Sequence, residues 1–511
     1  MSASHGLTTI LAVAVAATLF VSYSYKQITL YLSRRKFANE NGCKPLRNYY
    51  PLKDPVFGID NIIANVKAAK KSRLLARSYG NFNKYGDTFG SKLFAQKIIL
   101  TREPQNVKTI LSLRFKDFGI GSRETALGPL LGQGIFTMDG AFWQHSRAMI
   151  RPNFARDQVA DLEAFERHIQ DLWKLIPRDG STVDLQELFF RFTIDSATEF
   201  LFGESTDTLK ETKSGGLDGA RFATAFNDAQ DACAMNTRLG PLRHFNSNPK
   251  GKEAMKFCHE FVGQFVDKAI QFREQLDLEK QDETEEKYVF LHQLAKDTMD
   301  KKRLQDELLN VLLAGRDTTA SLLSNMWFML AKQPEIFAKL RQEVEETLNG
   351  ELPTYDVLRS MKYLKFCMNE SLRLHPVVPG NSRMAMHDSV LPLGGGPDGQ
   401  SPVFVSKGTL VVYSPYSMHR RQDFFGDDSE EFKPERWENL RPGWEYLPFN
   451  GGPRICLGQQ YALTEAGYVT VRLCQEFKEL QSRDDEPWME KLTLTLCSKN
   501  GTLVGLTPVS G

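Results

Sequence analysis

Cysteine is sparse in this chain. There are seven in 511 residues, an odd number, scattered from Cys43 to Cys497 with no Cys-x-x-Cys pair. That excludes a disulfide scaffold and a zinc knuckle and points to a reducing compartment. Net charge is also nearly absent, at +1, so no basic surplus argues for nucleic-acid binding. No Walker-type lysine loop is present. One dinucleotide fingerprint exists by letter, Gly394-x-Gly396-x-x-Gly399, but Pro397 interrupts it. A strand-like segment follows it, where the fingerprint needs a helix to hold pyrophosphate. It reads as a turn between strands, so any nicotinamide used by this protein belongs to a partner. After residue 52 the chain also lacks a long linker and an internal repeat, so residues 53–511 are expected to form one domain despite their length.

Long uncharged runs are rare too, with one exception. "LTTILAVAVAATLFVSYSY", Leu7 to Tyr25, carries no charge. As a helix it would span about 28 Å, close to the hydrocarbon thickness of a bilayer. A cleaved signal peptide fits less well, because the run is long, no basic stretch precedes it and no small-x-small site follows. Lys26, Arg34, Arg35 and Lys36 come after it. By the positive-inside rule the rest of the chain is cytosolic. Residues 1–25 are thus expected to be a single-pass anchor and 26–52 a basic, then proline-containing, hinge. The sequons at Asn369 and Asn500 are expected to stay unglycosylated.

Helical periodicity dominates from about Ala141 to His375. In "PEIFAKLRQEVEETLNG", Pro334 suits a first turn and Gly350 a C-terminal cap. "YLKFCMNESLRLHP" predicts a helix ending before Pro376. The last third is β-like. "SPVFVSKGTLVVYS" has strand composition, and "LTLTLCSKNGTLVGL" predicts a hairpin turning at Asn500-Gly501. The expected fold class is mainly α with small β sheets.

"FNGGPRICLGQQ" surrounds Cys456 with Gly451, Gly452 and Gly458, and Pro453 stiffens the loop. Such a loop can aim backbone N–H groups at one sulfur and stabilise a thiolate, as can a nearby cation. A single thiolate without a companion ligand suits axial ligation of haem better than zinc. Arg454 could pair with a haem propionate. Phe449-x-x-Gly452-x-Arg454-x-Cys456-x-Gly458 resembles the haem-binding signature of the cytochrome P-450 family at every fixed position.

Three further motifs resemble that family. In "VLLAGRDTTASLL", Arg316 and Asp317 make a second membrane span poor, at about 2.5–3.5 kcal/mol each. Ala314 and Gly315 allow close approach to the helix, and the Thr318 hydroxyl can take the Ala314 carbonyl and loosen it. The resemblance makes this an oxygen-binding groove, with Thr318 hydrogen-bonding dioxygen and Asp317 relaying protons. Glu370 and Arg373 share a helix face, and the resemblance joins them to Arg436 as a buried structural triad behind the cysteine loop. It also puts Trp143, Arg147 and Arg383 at the propionates. His145, His375 and His419 are given no ligand role.

What the resemblance implies is a cytochrome P-450 fold behind an N-terminal transmembrane helix. It implies haem b ligated by Cys456 and activation of O2, with electrons from an NADPH–cytochrome reductase on the endoplasmic reticulum membrane. Arg151 and Arg156 are candidates for the reductase-docking patch. "NGCKPLRNYY", "LPLGGGPDGQSPVFVSKG" and "YSMHRRQDFFGDDSEEFKPERW" are similar to the fungal class that hydroxylates alkanes and fatty acids, members of which also serve secondary metabolism. The implied reaction is monooxygenation of a lipophilic, aliphatic substrate. The alternatives are rearrangement or dehydration of an oxygenated lipid, and a non-enzymatic haem sensor or electron carrier. By family position, Phe118 to Phe136, Val377 to Ser382 and the turn from Cys497 to Gly501 are expected to line the pocket.

Overall fold

Helices make up most of the computed structural model, which describes residues 2–154, 162–210, 218–279 and 288–509, and small sheets complete it. Ser2–Glu40 is a single helix of 39 residues. Its apolar side chains face outward, with Leu11, Leu19 and Phe20 at 67%, 65% and 71% exposure. Among the described residues it is the one helix long and apolar enough to cross a membrane. Residues 26–40, the first part of the expected hinge, are helical. The helix continues through Lys26, Arg34, Arg35 and Lys36, because lysine, arginine and leucine favour helix and no glycine or proline intervenes before Gly42. The end of the helix and the chain after it are also held down. Arg34 donates to Asp388 at 3.0 Å, and Phe37 meets Phe404 edge-on with centroids 5.9 Å apart. Bridges from Leu46 to Gly395 and from Tyr49 to Gly90 then stitch the following residues to the sheets.

The core is organised around Lys301–Lys332, a helix of 32 residues whose first N–H groups are capped by the Asp300 carboxylate. Buried residues occupy nearly every face of it, from Leu304 to Ala331, as expected of a helix running through a large core. It packs against Leu185–Phe202 and against Gln459–Glu476, the helix that follows the cysteine loop. Lys362–Leu374 ends before Pro376 as the sequence predicts. Pro334–Leu348 ends differently from expectation. Asn349, at φ 47°, takes the left-handed cap position and Gly350 follows it at φ 88°. Asparagine tolerates that conformation better than other side chains do.

The largest sheet has the order Thr88–Leu93, Gln96–Thr101, Leu410–Tyr413, Asn381–Ala385, Phe118–Gly119, with one parallel pair, Gln96–Thr101 beside Leu410–Tyr413. The glycine triplet is a turn between Ser389–Gly395 and Ser401–Val405. Gly394, Gly396 and Gly399 sit there at φ 118°, 77° and 77°. The hairpin predicted at Asn500-Gly501 does not form. Leu496–Ser498 pairs with Glu490–Leu492, whereas Leu503–Pro508 pairs with Phe477–Ser482 and Val183–Asp184. The turn folds onto Asp184 instead, whose carboxylate accepts the Thr502 N–H at 2.8 Å, and a Cβ on Gly501 would strike it.

Candidate active site

The cysteine loop closes on itself before entering Gln459–Glu476. Phe449 O accepts the Cys456 N–H at 3.0 Å, and Tyr413 Oη donates to Asn450 Oδ1 at 2.9 Å. Gly452 sits at φ 68° with the Leu111 carbonyl where a Cβ would be, so this glycine is required twice over, by backbone conformation and by close approach. The Cys456 thiol is open on the wall of a cavity of about 290 Å³. Burial of its surroundings pushes the thiol up, and the Gly458 N–H and the Arg147 charge pull it back down.

Ala314, Gly315 and Thr318, on the central helix, line the same cavity. Thr318 Oγ1 donates to Ala314 O at 2.6 Å, the bond the sequence predicts, yet the helix runs on unbroken. Asp317 lies elsewhere. Its place in the helix turns it away from the cavity wall, and its Oδ1 is 3.1 Å from Arg316 Nη1, both side chains being buried. Arg316 in turn donates to Asn227 Oδ1 at 2.5 Å. Burial pushes the Asp317 carboxyl up, against Arg316 and then Gln230. Phe136, Val377 and Val378 line the cavity as expected, but no residue from Cys497 to Gly501 does, because that turn is drawn onto Asp184.

Behind the loop, Glu370 is completely buried and takes five donors. Oε1 accepts from Arg373 Nη2 at 2.8 Å, Arg436 Nε at 2.9 Å and the Lys433 N–H at 2.8 Å; Oε2 accepts from Arg373 Nε at 2.9 Å and Trp437 Nε1 at 3.0 Å. Arg373 Nη1 and Nη2 also donate to the carbonyls of His419, Ser429 and Glu431. The profile of one known family, Cytochrome P450, matches residues 62–504.

The chain belongs to the cytochrome P450 family. Relatives agree along nearly its whole length. It is 47% identical to the cytochrome P450 monooxygenase fsdH of Fusarium heterosporum, covering 99% of this chain and 89% of that one. It is 48% identical to himC of Aspergillus japonicus, covering 97% and 89%. With cytochrome P450 52A13 of Debaryomyces hansenii it shares 42%, over 96% and 97%. The protein is a cytochrome P450 monooxygenase.

A cytochrome P450 implies haem, a planar group carrying two carboxylates, and the cavity fits one. Arg123, Arg147, Arg383 and Arg454 all line it. One carboxylate, Asp139, pairs with Arg454, at 2.5 Å. Arg383 is buried, and its Nε has no partner among the described residues. Burial and then the Arg383 charge lower Arg123 to about 10; burial, relieved by Asp139 and reinforced by Arg383, lowers Arg454 to about 10. This cluster holds more positive charge than its protein partners neutralise, which suits a dianion. Trp143 is buried between two guanidiniums, Arg454 at 4.3 Å and Arg147 at 5.9 Å from its ring centre, and Arg147 donates to Ile455 O at 3.0 Å.

Sequence reasoning missed Arg123, Asp139 and Glu465. Arg123 donates to Asn381 and stands beside Arg383 only because distant segments meet there, so no local pattern marks it. Glu465 is buried behind Ser196 and Thr319, and burial, eased by those two hydroxyls, pushes it up to about 8. A carboxylate set among apolar residues on the helix after the cysteine loop was its available signal.

Proposed function

We propose that this P450 hydroxylates a lipophilic, aliphatic substrate, a fatty acid, an alkane or the aliphatic chain of a secondary metabolite, with electrons from an NADPH–cytochrome reductase. The reading rests above all on one cavity that the Cys456 thiol, the Thr318 hydroxyl and the arginine cluster all line. Haem, when bound, supplies one-electron and dioxygen chemistry. Cys456 would hold its iron as a thiolate, and Arg123, Arg383 and Arg454, with Trp143 and Arg147, would hold its carboxylates. Thr318 hydrogen-bonds the oxygen substrate and passes it a proton. Asp317 resupplies that proton after its side chain leaves Arg316, and its raised pKa favours the protonated form such a donor needs. Phe136, Phe200, Leu201 and Val377 give the substrate an apolar wall and exclude water. The apolar N-terminal helix would anchor the protein in the endoplasmic reticulum with the catalytic domain cytosolic. The reductase would dock on a basic patch including exposed Arg151 near Arg147; Arg156, the other candidate, lies outside the described residues.

Reconstitution with reductase and NADPH tests this. Fatty acids, alkanes and polyketide- or terpene-like lipids are offered, and products are read by mass. A gain of one oxygen atom that requires NADPH, reductase and O2 supports the proposal. Product formed without NADPH would replace it with rearrangement or dehydration, and haem binding without NADPH consumption on any substrate would leave a sensor or electron carrier.

A further inference from the structure

Leu447 opens the cysteine loop. Its carbonyl accepts the Asn450 N–H at 3.4 Å, and both Leu447 and Pro448 reach the cavity wall. The Leu447 N–H itself donates to His419 Nε2 at 2.9 Å. His419 follows the short helix Pro415–Met418 and is completely buried. Its carbonyl accepts from Arg373 Nη1 at 2.9 Å, and Arg373 is the residue that forks onto Glu370. Because Nε2 accepts, the ring proton belongs on Nδ1, which is buried and has no hydrogen-bond partner among the described residues. One histidine thus touches the triad helix through its carbonyl and the cysteine loop through its ring. Tyr446 and Phe425 fix the ring plane, with centroids 5.1 Å and 6.5 Å away. Burial, then the Arg373 and Arg420 charges, lower its pKa to about 3, so the ring stays neutral and keeps its acceptor.

We propose that His419 is the positioning residue through which the buried Glu370–Arg373–Arg436 cluster sets the geometry of the Cys456 loop, by accepting the Leu447 N–H. The inference rests on Cys456 being the haem ligand. It gives the triad a physical route to the thiolate: Glu370 orients Arg373, Arg373 holds the His419 backbone, and the imidazole hangs the loop from its first residue.

The test uses full-length, haem-loaded protein and three variants, His419→Gln, His419→Asn and His419→Leu. The glutamine oxygen reaches the place of Nε2; asparagine reaches only that of Nδ1; leucine offers neither. The readouts are the thiolate signature of the reduced carbon-monoxide complex and the melting temperature. We expect the ratio of thiolate to non-thiolate complex to fall about tenfold in the Leu and Asn variants, the scale of one buried hydrogen bond. His419→Gln should recover most of that ratio while melting no higher than the other two. An unchanged ratio in His419→Leu, or a loss that follows melting temperature equally in all three, overturns the proposal. Should the variants not fold, amide exchange at Leu447 in the wild type decides. Protection matching that of the Lys362–Leu374 amides supports the bond, and exchange at the rate of a free amide refutes it. A wild type with no thiolate signature would instead reject Cys456 as ligand, an outcome separate from all of these.

Discussion

Glu370→Gln is a near-isosteric change, and the hydrogen bonds around Glu370 set its size. The carboxylate faces two buried guanidiniums and receives five donors. A glutamine oxygen in the place of Oε1 keeps three of them. The amide NH2 then occupies the place of Oε2 and points hydrogens at Arg373 Nε and Trp437 Nε1, which are donors themselves. Arg436 retains Asp428 at 2.8 Å, but Arg373, with no other carboxylate within bonding distance among the described residues, is left with neutral partners alone, the amide oxygen and three backbone carbonyls. Stranding a buried charge in this way costs about 3–5 kcal/mol. Against a typical domain stability of about 5–15 kcal/mol that is a large share. The assay is urea unfolding of the detergent-solubilised protein, followed in parallel by intrinsic fluorescence and by the thiolate carbon-monoxide signature. The variant should lose urea resistance by that amount, and the signature should fade before the fluorescence transition. A loss under about 1 kcal/mol would mean that solvent or a shifted neighbour compensates Arg373, and the reasoning would fail.

Thr318→Ala should keep the spectrum but consume NADPH with peroxide released in place of product; full coupling would remove the proton-passing role assigned to Thr318. Gly452→Ala needs a left-handed alanine whose Cβ meets the Leu111 carbonyl, so haem incorporation should fall several-fold; normal loading would show that the loop tolerates the shift. Glu465 supplies a pH test. Its folded pKa is raised to about 8 from the model-compound value of 4.5, so the folded protein binds the extra proton between those values. Stability from this site is therefore complete below the unfolded value and is lost as pH rises towards about 8, a fall on the order of 5 kcal/mol. In urea titrations Glu465→Gln should gain on the wild type across that window, and parallel pH profiles would refute the raised pKa.

What could be read in the sequence is what local spacing encodes. The central helix, the Lys362–Leu374 helix and the turn around Gly394 follow from periodicity, proline and glycine placement. The Glu370–Arg373 pair follows from helix spacing, and the Thr318–Ala314 hydrogen bond from side-chain chemistry. What escaped depends on which distant segment arrives. Asn500-Gly501 has hairpin composition, but Asp184 captures the turn and the strands on its two sides join different sheets. Asp317 has the right neighbours in sequence, yet helix rotation buries it against Arg316 while Thr318 meets the cavity. Arg123 acquires its meaning only when the strand bearing Arg383 and the loop bearing Arg454 converge on it. The basic residues of the 26–52 stretch, read together with its proline as a hinge, lie in the helix because charge does not break a helix; Gly42 does.

The most direct test of the account is the absorption spectrum of the reduced, carbon-monoxide-bound full-length protein expressed with haem supplied, beside Cys456→Ala. The account predicts a thiolate-ligated spectrum in the wild type and its loss in the variant. A pigmentless wild type, or a variant that keeps the wild-type spectrum, would contradict it.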